Sequence, residues 1–310
     1  MPAIIGHHIK TIIIICGILL IAGCRLYFDT TKDQFSIPSS DTVITKGKNL
    51  TYTVCGGCHY DATTKKFTGK QLEDLPKIAG KVYAANITQS PAHGKIADYT
   101  DAELSYLIKT GIAKNGKYMP YMLKPMMADE DINAVIAYLR SGDDAVQPAD
   151  TTIGITHINV LGKTGLRISG KPAPYIKGIP LPDEDNPVEY GRYLVAVTGC
   201  YHCHSKKLLR VDFIIPENSK GYMQGGIKLK DQEGKKIYAP NLTPDTATGI
   251  GAYDKEDFNA AIRAGIVPGG RQLKVSMPKF EQLTVKQVDA IYAYIRNLAP
   301  VRHQVKKMRN

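Results

Sequence analysis

Two short segments of the 310-residue sequence place two cysteines and a histidine at the same spacing. They read CGGCH from Cys55 and CYHCH from Cys200, so both fit the pattern C-x-x-C-H. Three kinds of chemistry use thiols in this arrangement: zinc coordination, thiol–disulfide exchange and the covalent attachment of a c-type haem. Whichever of the three applies, we expect the function of the chain to depend on these two segments.

The three chemistries make different demands on the rest of the chain. A zinc site would combine both cysteine pairs as four ligands and leave the two histidines without a role. A redox dithiol is expected near a β-α-β pattern, whereas the segments around both motifs have helical periodicity. Haem attachment uses all three side chains, because the thiols form thioethers and the histidine ligates the iron. This interpretation assigns the thioethers to Cys55, Cys58, Cys200 and Cys203 and an axial ligand to each of His59 and His204.

A methionine is expected as the second axial ligand of each iron, since a thioether sulfur stabilises the ferrous form. Each half of the chain has a Met-Pro pair, at Met119 and at Met277, which follows a glycine-containing loop and precedes the last helix. Met122, Met126 and Met127 compete in the first half. The last two lie so close to the closing helix that little chain remains to reach a haem. We therefore expect Met119 and Met277 to be the ligands.

The two halves repeat more than the cysteine motif, which is the pattern of a duplicated domain. The segments GKNL and GRYL precede the motifs, NIT and NLT follow them, and the stretches from Tyr99 and Tyr253 align without gaps. Each half closes with an amphipathic segment that contains A-Y-[LI]-R. The helical spacing of these segments predicts apolar faces formed by Ile132, Val135, Ile136 and Leu139 and by Val288, Ile291, Tyr292 and Ile295. Tyr138 and Tyr294 are expected to be core or helix-contact residues.

Together these features resemble class I cytochrome c domains. The resemblance implies an all-α fold with two such domains in tandem, at 46–141 and 186–300, each holding one covalently bound haem c. They are joined by a linker at 142–185 that contains many prolines and glycines and has the apolar character of a short surface strand, and a basic tail follows at 301–310. The family also has a proline near the backbone partner of the axial histidine. Pro76 is the candidate in the first half, and the second half offers no counterpart.

The N-terminal 23 residues have the features of an export signal. The apolar run from Thr11 to Gly23 is too short to cross a bilayer, which needs about 20 residues. It ends in LIAGC, which resembles the lipobox of bacterial lipoproteins and implies cleavage before Cys24 and lipidation of that thiol. The alternative is a short uncleaved anchor. We expect a signal peptide at 1–23, a tether at 24–45 and a membrane lipoprotein that faces the bacterial periplasm.

The charge of the chain bears on its partners. Lysine and arginine exceed aspartate and glutamate by 11, and no nucleic-acid-binding signature accompanies this excess. A basic surface can steer acidic protein partners, and lysines that follow both motifs are candidates for that role. They are Lys65, Lys66, Lys70, Lys206 and Lys207. Scattered, solvated lysines without such a role are the alternative.

The tandem order resembles the membrane-associated multi-haem cytochrome subunits that take electrons from periplasmic dehydrogenases, some of which carry three haems. The sequence therefore predicts an electron carrier that is not itself an enzyme, with a dehydrogenase donor or an oxidase acceptor. The alternative is a dihaem enzyme of the peroxidase or thiosulfate-oxidising type. A peroxidase needs an open iron position, whereas both halves offer a methionine. A haem-based sensor is disfavoured, because the chain has no attached signalling domain.

Overall fold

The structure is a computed structural model that describes residues 30, 37–72, 80–160, 162, 172–231, 234–274 and 276–306. The predicted signal peptide, Cys24, most of the tether and Pro76 lie outside these residues. Within them, two mainly helical halves follow one another along the chain, as the repeat predicts. No helix of the described part is both long enough and apolar enough to cross a membrane.

The first half begins with a helix whose start is set by a serine cap. The Ser40 hydroxyl accepts a hydrogen bond from the Val43 amide, and the following acidic residue favours the positive end of the helix dipole. This helix begins within the segment that the sequence predicts to be a tether. The elements are α1 (Asp41–Leu50), a π-helical segment (Thr51–Cys55), α2 (Gly56–His59), β1 (Gly80–Lys81), α3 (Asp101–Thr110), a 3-10 turn (Pro120–Met122) and α4 (Asp129–Leu139).

The second half repeats this order with additional short elements. The linker strand β2 (His157–Ile158) comes first. It is followed by α5 (Pro187–Thr198), α6 (Cys200–His204), 3-10 turns at Leu208–Arg210 and Pro216–Asn218, β3 (Lys228–Lys230), β4 (Lys236–Tyr238), α7 (Lys255–Asn259), a π-helical segment (Ala260–Ala264), β5 (Ile266–Val267), β6 (Arg271–Gln272) and α8 (Val285–Arg296).

The first and last helices of each half cross at a glycine. In the first half α1 packs on α4, and a Cβ at Gly47 would lie 1.8 Å from the Ala134 carbonyl oxygen. In the second half α5 packs on α8, and a Cβ at Gly191 would lie 1.9 Å from the Ala290 carbonyl oxygen. Only glycine allows backbones to approach this closely. The glycine of each G-x-x-L segment therefore fixes the same helix crossing in both halves.

The closing helices bury the faces that the helical spacing predicts, with one exception. All four predicted residues of α4 are buried, as are Val288, Ile291 and Ile295 of α8, whereas Tyr292 is only half-buried. Tyr294 is buried, with 5% of its surface exposed, and Tyr138 is fully buried. The expectation that these two tyrosines are core residues is confirmed. Thr284 caps α8 through a reciprocal bond pair with Gln287.

The expectation of an all-α fold holds broadly, and the described residues add three short antiparallel strand pairs to the helices. The linker supplies one of them: β2 pairs with β1 on the surface of the first half, which confirms the predicted surface strand. The β3–β4 hairpin lies in the longer connection of the second half, where Asn241 follows Cys203 by 38 positions. The β5–β6 pair shapes the loop that leads to Met277.

A later part of the linker is hydrogen-bonded to an ion pair between α3 and α4. Lys109 on α3 is 1% exposed, and its ammonium contacts the Asp129 carboxylate and lies 2.5 Å from the Ile176 carbonyl oxygen. Asp129 also accepts a hydrogen bond of 2.8 Å from the Gly178 amide. Because a buried ammonium must be paired, these bonds hold the 176–179 segment against the first half.

Each closing tyrosine donates a hydrogen bond to a carboxylate that a cation also contacts. Tyr138 donates to Asp143 at 3.0 Å, and Lys48 reaches the other oxygen of that carboxylate at 2.6 Å. In the second half Tyr294 donates to Glu217 at 3.0 Å, and Arg192 contacts the same carboxylate at 2.6 Å. The tyrosines and cations occupy equivalent positions in the repeat, whereas the two acids come from different parts of it.

These carboxylates predict a loss of stability in acid. Burial opposes ionisation of Asp143, but hydrogen bonds from Lys48, the Ala145 amide and Tyr138 outweigh it and hold its pKa below the ordinary value of 3.8. A carboxylate with a depressed pKa stabilises the fold above its unfolded-state pKa and loses that contribution as the pH falls through its folded-state pKa. The free energy of unfolding, measured in urea, should therefore fall below about pH 4. Asp143→Asn should make the free energy of unfolding fall less steeply with decreasing pH. An unchanged decline would contradict the assignment of the acid sensitivity to Asp143.

The helix crossings give a second prediction. Gly47→Ala and Gly191→Ala would each force a methyl group into a backbone carbonyl, and each should lower the free energy of unfolding by about 1–3 kcal/mol. Gly142 is the matched control, since a Cβ there meets no atom within 4 Å. Its change to alanine should stay within about 0.5 kcal/mol of zero. Urea titrations followed by circular dichroism measure all three, and equal effects would exclude a special role for the crossings.

Candidate functional site

Both C-x-x-C-H motifs lie on a helical turn that directly follows the first long helix of its half. In the first half the backbone continues from α1 through the π-helical segment into α2, which ends at His59. In the second half α5 ends at Gly199, whose φ of 76° breaks the helix before α6 begins at Cys200. Two thiols three residues apart on a helical turn lie on the same face, as two thioethers to one porphyrin require.

The first cysteine of each motif does not have the properties of a reactive thiol in a redox dithiol. None of the four motif thiols forms a disulfide, and all except the exposed Cys58 are half-buried. Burial raises the pKa of Cys55 to about 12 and also raises the pKa of Cys200. Thiol–disulfide exchange needs a thiolate, which a redox motif provides by lowering the pKa of one cysteine. The shifts at Cys55 and Cys200 have the opposite sign and therefore disfavour the dithiol alternative.

Each motif histidine is held by a backbone carbonyl in a form that suits iron. Nδ1 of His59 lies 2.8 Å from the Ala85 oxygen, and Nδ1 of His204 lies 2.9 Å from the Pro240 oxygen. A carbonyl only accepts, so Nδ1 carries the proton and the lone pair is on Nε2, the arrangement of a metal-ligating imidazole. Burial lowers the pKa of both rings, which keeps them neutral. The donor set of each motif, two thiols and one oriented imidazole, therefore fits covalently attached haem.

The backbone partners of the histidines come from the segments just before the two N-[IL]-T sequences. In the first half the carbonyl belongs to Ala85, and Pro76, the proline expected near it, lies outside the described residues. In the second half the carbonyl belongs to Pro240, a proline for which the sequence offered no assignment. Both residues immediately precede the N-[IL]-T segments, Asn86 and Asn241. Position relative to that segment is the signal that would have identified them.

The N-[IL]-T segments fix the carbonyls that orient the histidines. The Asn86 side-chain oxygen accepts hydrogen bonds from the amide and hydroxyl of Thr88 at 2.9 and 2.8 Å, and its nitrogen donates to the Ala149 carbonyl at 2.9 Å. Asn241 makes the same pair of bonds with Thr243, and its nitrogen donates 2.8 Å to the Val301 carbonyl. These asparagines are fully buried. The residues after each closing helix thus help to hold the segment beside its histidine.

The loops that lead to Met119 and Met277 begin in the same way in both halves. Gly111 and Gly265 end their helices with φ values of 71° and 72°, in the left-handed region. The carbonyl of Gly111 accepts a hydrogen bond of 2.7 Å from the Met119 amide, and that of Gly265 accepts one of 2.7 Å from the Leu273 amide. Met119 and Met277 are half-buried. Met127 is 2% exposed and belongs to the apolar core, so its thioether is used in packing.

The remaining motif histidine, His202, lies in an aromatic environment. Its ring packs at 4.4 Å from Tyr201 and 5.2 Å from Phe213, measured between ring centroids. Burial lowers its pKa to about 3, and the charge of Lys124 contributes to the shift. His202 therefore stays neutral at physiological pH and packs in an aromatic setting. Among the described residues, no three His, Cys, Asp or Glu side chains come together as a metal-binding group, so the cysteine pairs do not form one zinc site.

The N-terminus of α4 contacts the second half of the chain through Tyr193. Ala128 occupies the N-cap position and has no side chain that could cap the helix. The Tyr193 hydroxyl accepts a hydrogen bond of 3.2 Å from the Ala128 amide and donates one of 2.5 Å to Asp131. Ala128 and Asp131 are the N-cap and N3 positions of α4. In α8 the corresponding residues, Thr284 and Gln287, bond to each other directly, whereas in α4 the Tyr193 hydroxyl connects the two positions. The GRYL segment contains this tyrosine, but its role between the halves was not evident from the sequence.

Comparison with known proteins gives two kinds of similarity. A family model described as Cytochrome c matches residues 44–143 and again residues 188–299. The chain is 26% identical over 300 residues to the fructose dehydrogenase cytochrome subunit of Gluconobacter japonicus, which covers 91% of this chain and 57% of that protein. It is 26% identical over 292 residues to the gluconate 2-dehydrogenase cytochrome c subunit of Pantoea cypripedii, covering 90% and 64%. The chain thus spans about three fifths of these relatives.

Proposed function

Because the chain belongs to the cytochrome c family, with one domain of that family in each half, we propose that it is a dihaem electron carrier. Domains of this family bind haem c covalently. The observation that carries the proposal is the pair of motif histidines, each with Nδ1 bonded to a backbone carbonyl and Nε2 left for iron. This arrangement occurs once in each half, and it supports two haems per chain.

The residues of each site have separate roles in this function. Cys55 and Cys58 in one half, and Cys200 and Cys203 in the other, bind the haem covalently. His59 and His204 ligate iron, with Met119 and Met277 as the second axial ligands. The haem, when bound, supplies a one-electron Fe(III)/Fe(II) couple. The protein sets the potential of that couple through ligand type, burial and nearby charge.

The names of the relatives support a partner class. Both are cytochrome subunits of dehydrogenases, and a similar subunit of a quinone-dependent alcohol dehydrogenase from Gluconobacter oxydans is 25% identical over 219 residues. We infer that this chain accepts electrons from a dehydrogenase and passes them to a membrane acceptor, and that nucleic acid is not a partner. The lipobox-like segment ending at Cys24 supports a lipid-anchored, periplasm-facing location.

The haem count and the ligands are tested on the purified protein, produced in cells able to attach haem. A pyridine haemochrome assay should give two haems per chain, and the oxidised spectrum should show the Fe(III)–Met charge-transfer band. Met119→Ala and Met277→Ala should each remove about half of that band. Met122→Ala, which changes a neighbouring half-buried methionine, is the control and should retain it.

The spectrum also separates the competing functions. One high-spin haem in the unmodified protein would indicate an open iron position and favour a dihaem enzyme, and peroxide-dependent turnover would identify a peroxidase. The absence of covalent haem would refute the proposal altogether.

The lysines that follow the motifs provide a test of partner docking. Lys65, Lys70 and Lys207 are exposed, and no ion pair in the described part of the chain involves them. Lys70 is close enough to His59 for its charge to add to the effect of burial on the imidazole pKa. This proximity makes Lys70 a candidate contact for an acidic partner, and Lys207, three positions after His204, is the candidate in the second half.

Lys70→Glu and Lys207→Glu should each slow reduction by the donor several-fold at low salt, with the difference disappearing at high ionic strength. Stopped-flow mixing with the reduced donor measures the rate. Lys95→Glu changes an exposed lysine away from the motifs and serves as the control. If all three variants slow equally, net charge rather than a docking site determines the rate.

A further inference from the structure

The two C-x-x-C-H motifs approach each other across the contact between the halves. Helix α5 contacts the π-helical segment Thr51–Cys55, which ends at the first motif cysteine. The same helix ends at Thr198, two residues before Cys200. The first cysteine of each motif therefore lies beside one shared helix.

Lys124 lies at this contact. It belongs to the loop between Met119 and α4, and its amide donates a hydrogen bond of 2.8 Å to the Ile108 carbonyl. Its ammonium crosses to the second half, where it donates 2.8 Å to the Val197 carbonyl. The ammonium also interacts electrostatically with Cys55, Cys58 and Cys200. One positive charge is thus shared between both motifs.

The surroundings of this ammonium offer no compensating anion. No ion pair of the described residues involves Lys124, and the cleft around it is mostly apolar. Lys124 is half-buried, and burial lowers the pKa of its ammonium. The cleft is lined by Leu123, Pro125, Met127, Val197, Tyr201 and Phe213. A charge in such a setting acts over a longer distance than one on the surface.

We propose that Lys124 is a positioning residue that sets the potentials of both haem sites and fixes their attachment edges against each other. This inference rests on the proposed function, because it requires haem on both motifs. Reduction adds one negative charge at each iron, and a nearby ammonium stabilises the reduced state of both. The bond to Val197 holds that ammonium between the motifs, and the Tyr193 contact braces the same interface.

The test compares variants that differ in charge at this one position. In Lys124→Gln both haems should become harder to reduce, by about tenfold in the equilibrium constant, which corresponds to about 59 mV for one electron. Lys124→Arg retains the charge and should restore both potentials. Lys95→Gln and Lys255→Gln remove exposed charges from the first and second halves and should change neither potential appreciably. Spectroelectrochemical titration of the full chain measures all of them.

The outcomes separate this inference from the proposed function. A haemochrome count below two in the unmodified protein would defeat the proposed function. The shared role of Lys124 would be overturned if the protein binds two haems but their potentials shift in Lys124→Gln no more than in the controls. A shift of only one of the two potentials would overturn it as well. If the glutamine variant does not accumulate, Lys124→Met, which keeps the apolar stem, provides the same comparison.

Discussion

The contact on which each half depends is the crossing of its first and last helices at a glycine. Gly47 and Gly191 let the backbones meet at distances that exclude any side chain. This crossing fixes the end of the first helix, and with it the turn that carries the two cysteines and the histidine. It also brings the buried tyrosine of the closing helix and the cation of the first helix to the same carboxylate. The position of the motif is therefore a consequence of backbone packing several residues before it.

Much of this architecture could be predicted from the sequence, because the repeat supplies each signal twice. The buried faces of α4 and α8, the Thr284 cap and the surface strand of the linker all follow from local pattern. What could not be predicted depends on residues that are distant in the chain. Ala85 and Pro240 bind the histidines through backbone atoms, which have no residue-type signature. Tyr292 was expected on the buried face of α8 but is half-buried, and its hydroxyl donates to the Tyr253 carbonyl, 39 positions away in the chain.

The site is also organised more by neutral contacts than by charge. The histidines are oriented by carbonyls, the carbonyls are held by asparagine–threonine pairs, and these pairs are fixed by the chain beyond the closing helix. Such hydrogen bonds orient a ligand without changing the net charge near the iron. Against this background the Lys124 ammonium is the charge that interacts with cysteines of both motifs, which is the basis for its proposed action on both sites.

The cap that Tyr193 provides makes the two halves unequal. The closing helix of the second half is capped by its own threonine, whereas that of the first half has alanine and depends on a hydroxyl from the second. The first half is thus an incomplete module, and the second is self-sufficient at this position. A first half used alone as a building block would lack this bond, and Ala128→Thr would supply a different one, from the Asp131 amide to the threonine hydroxyl.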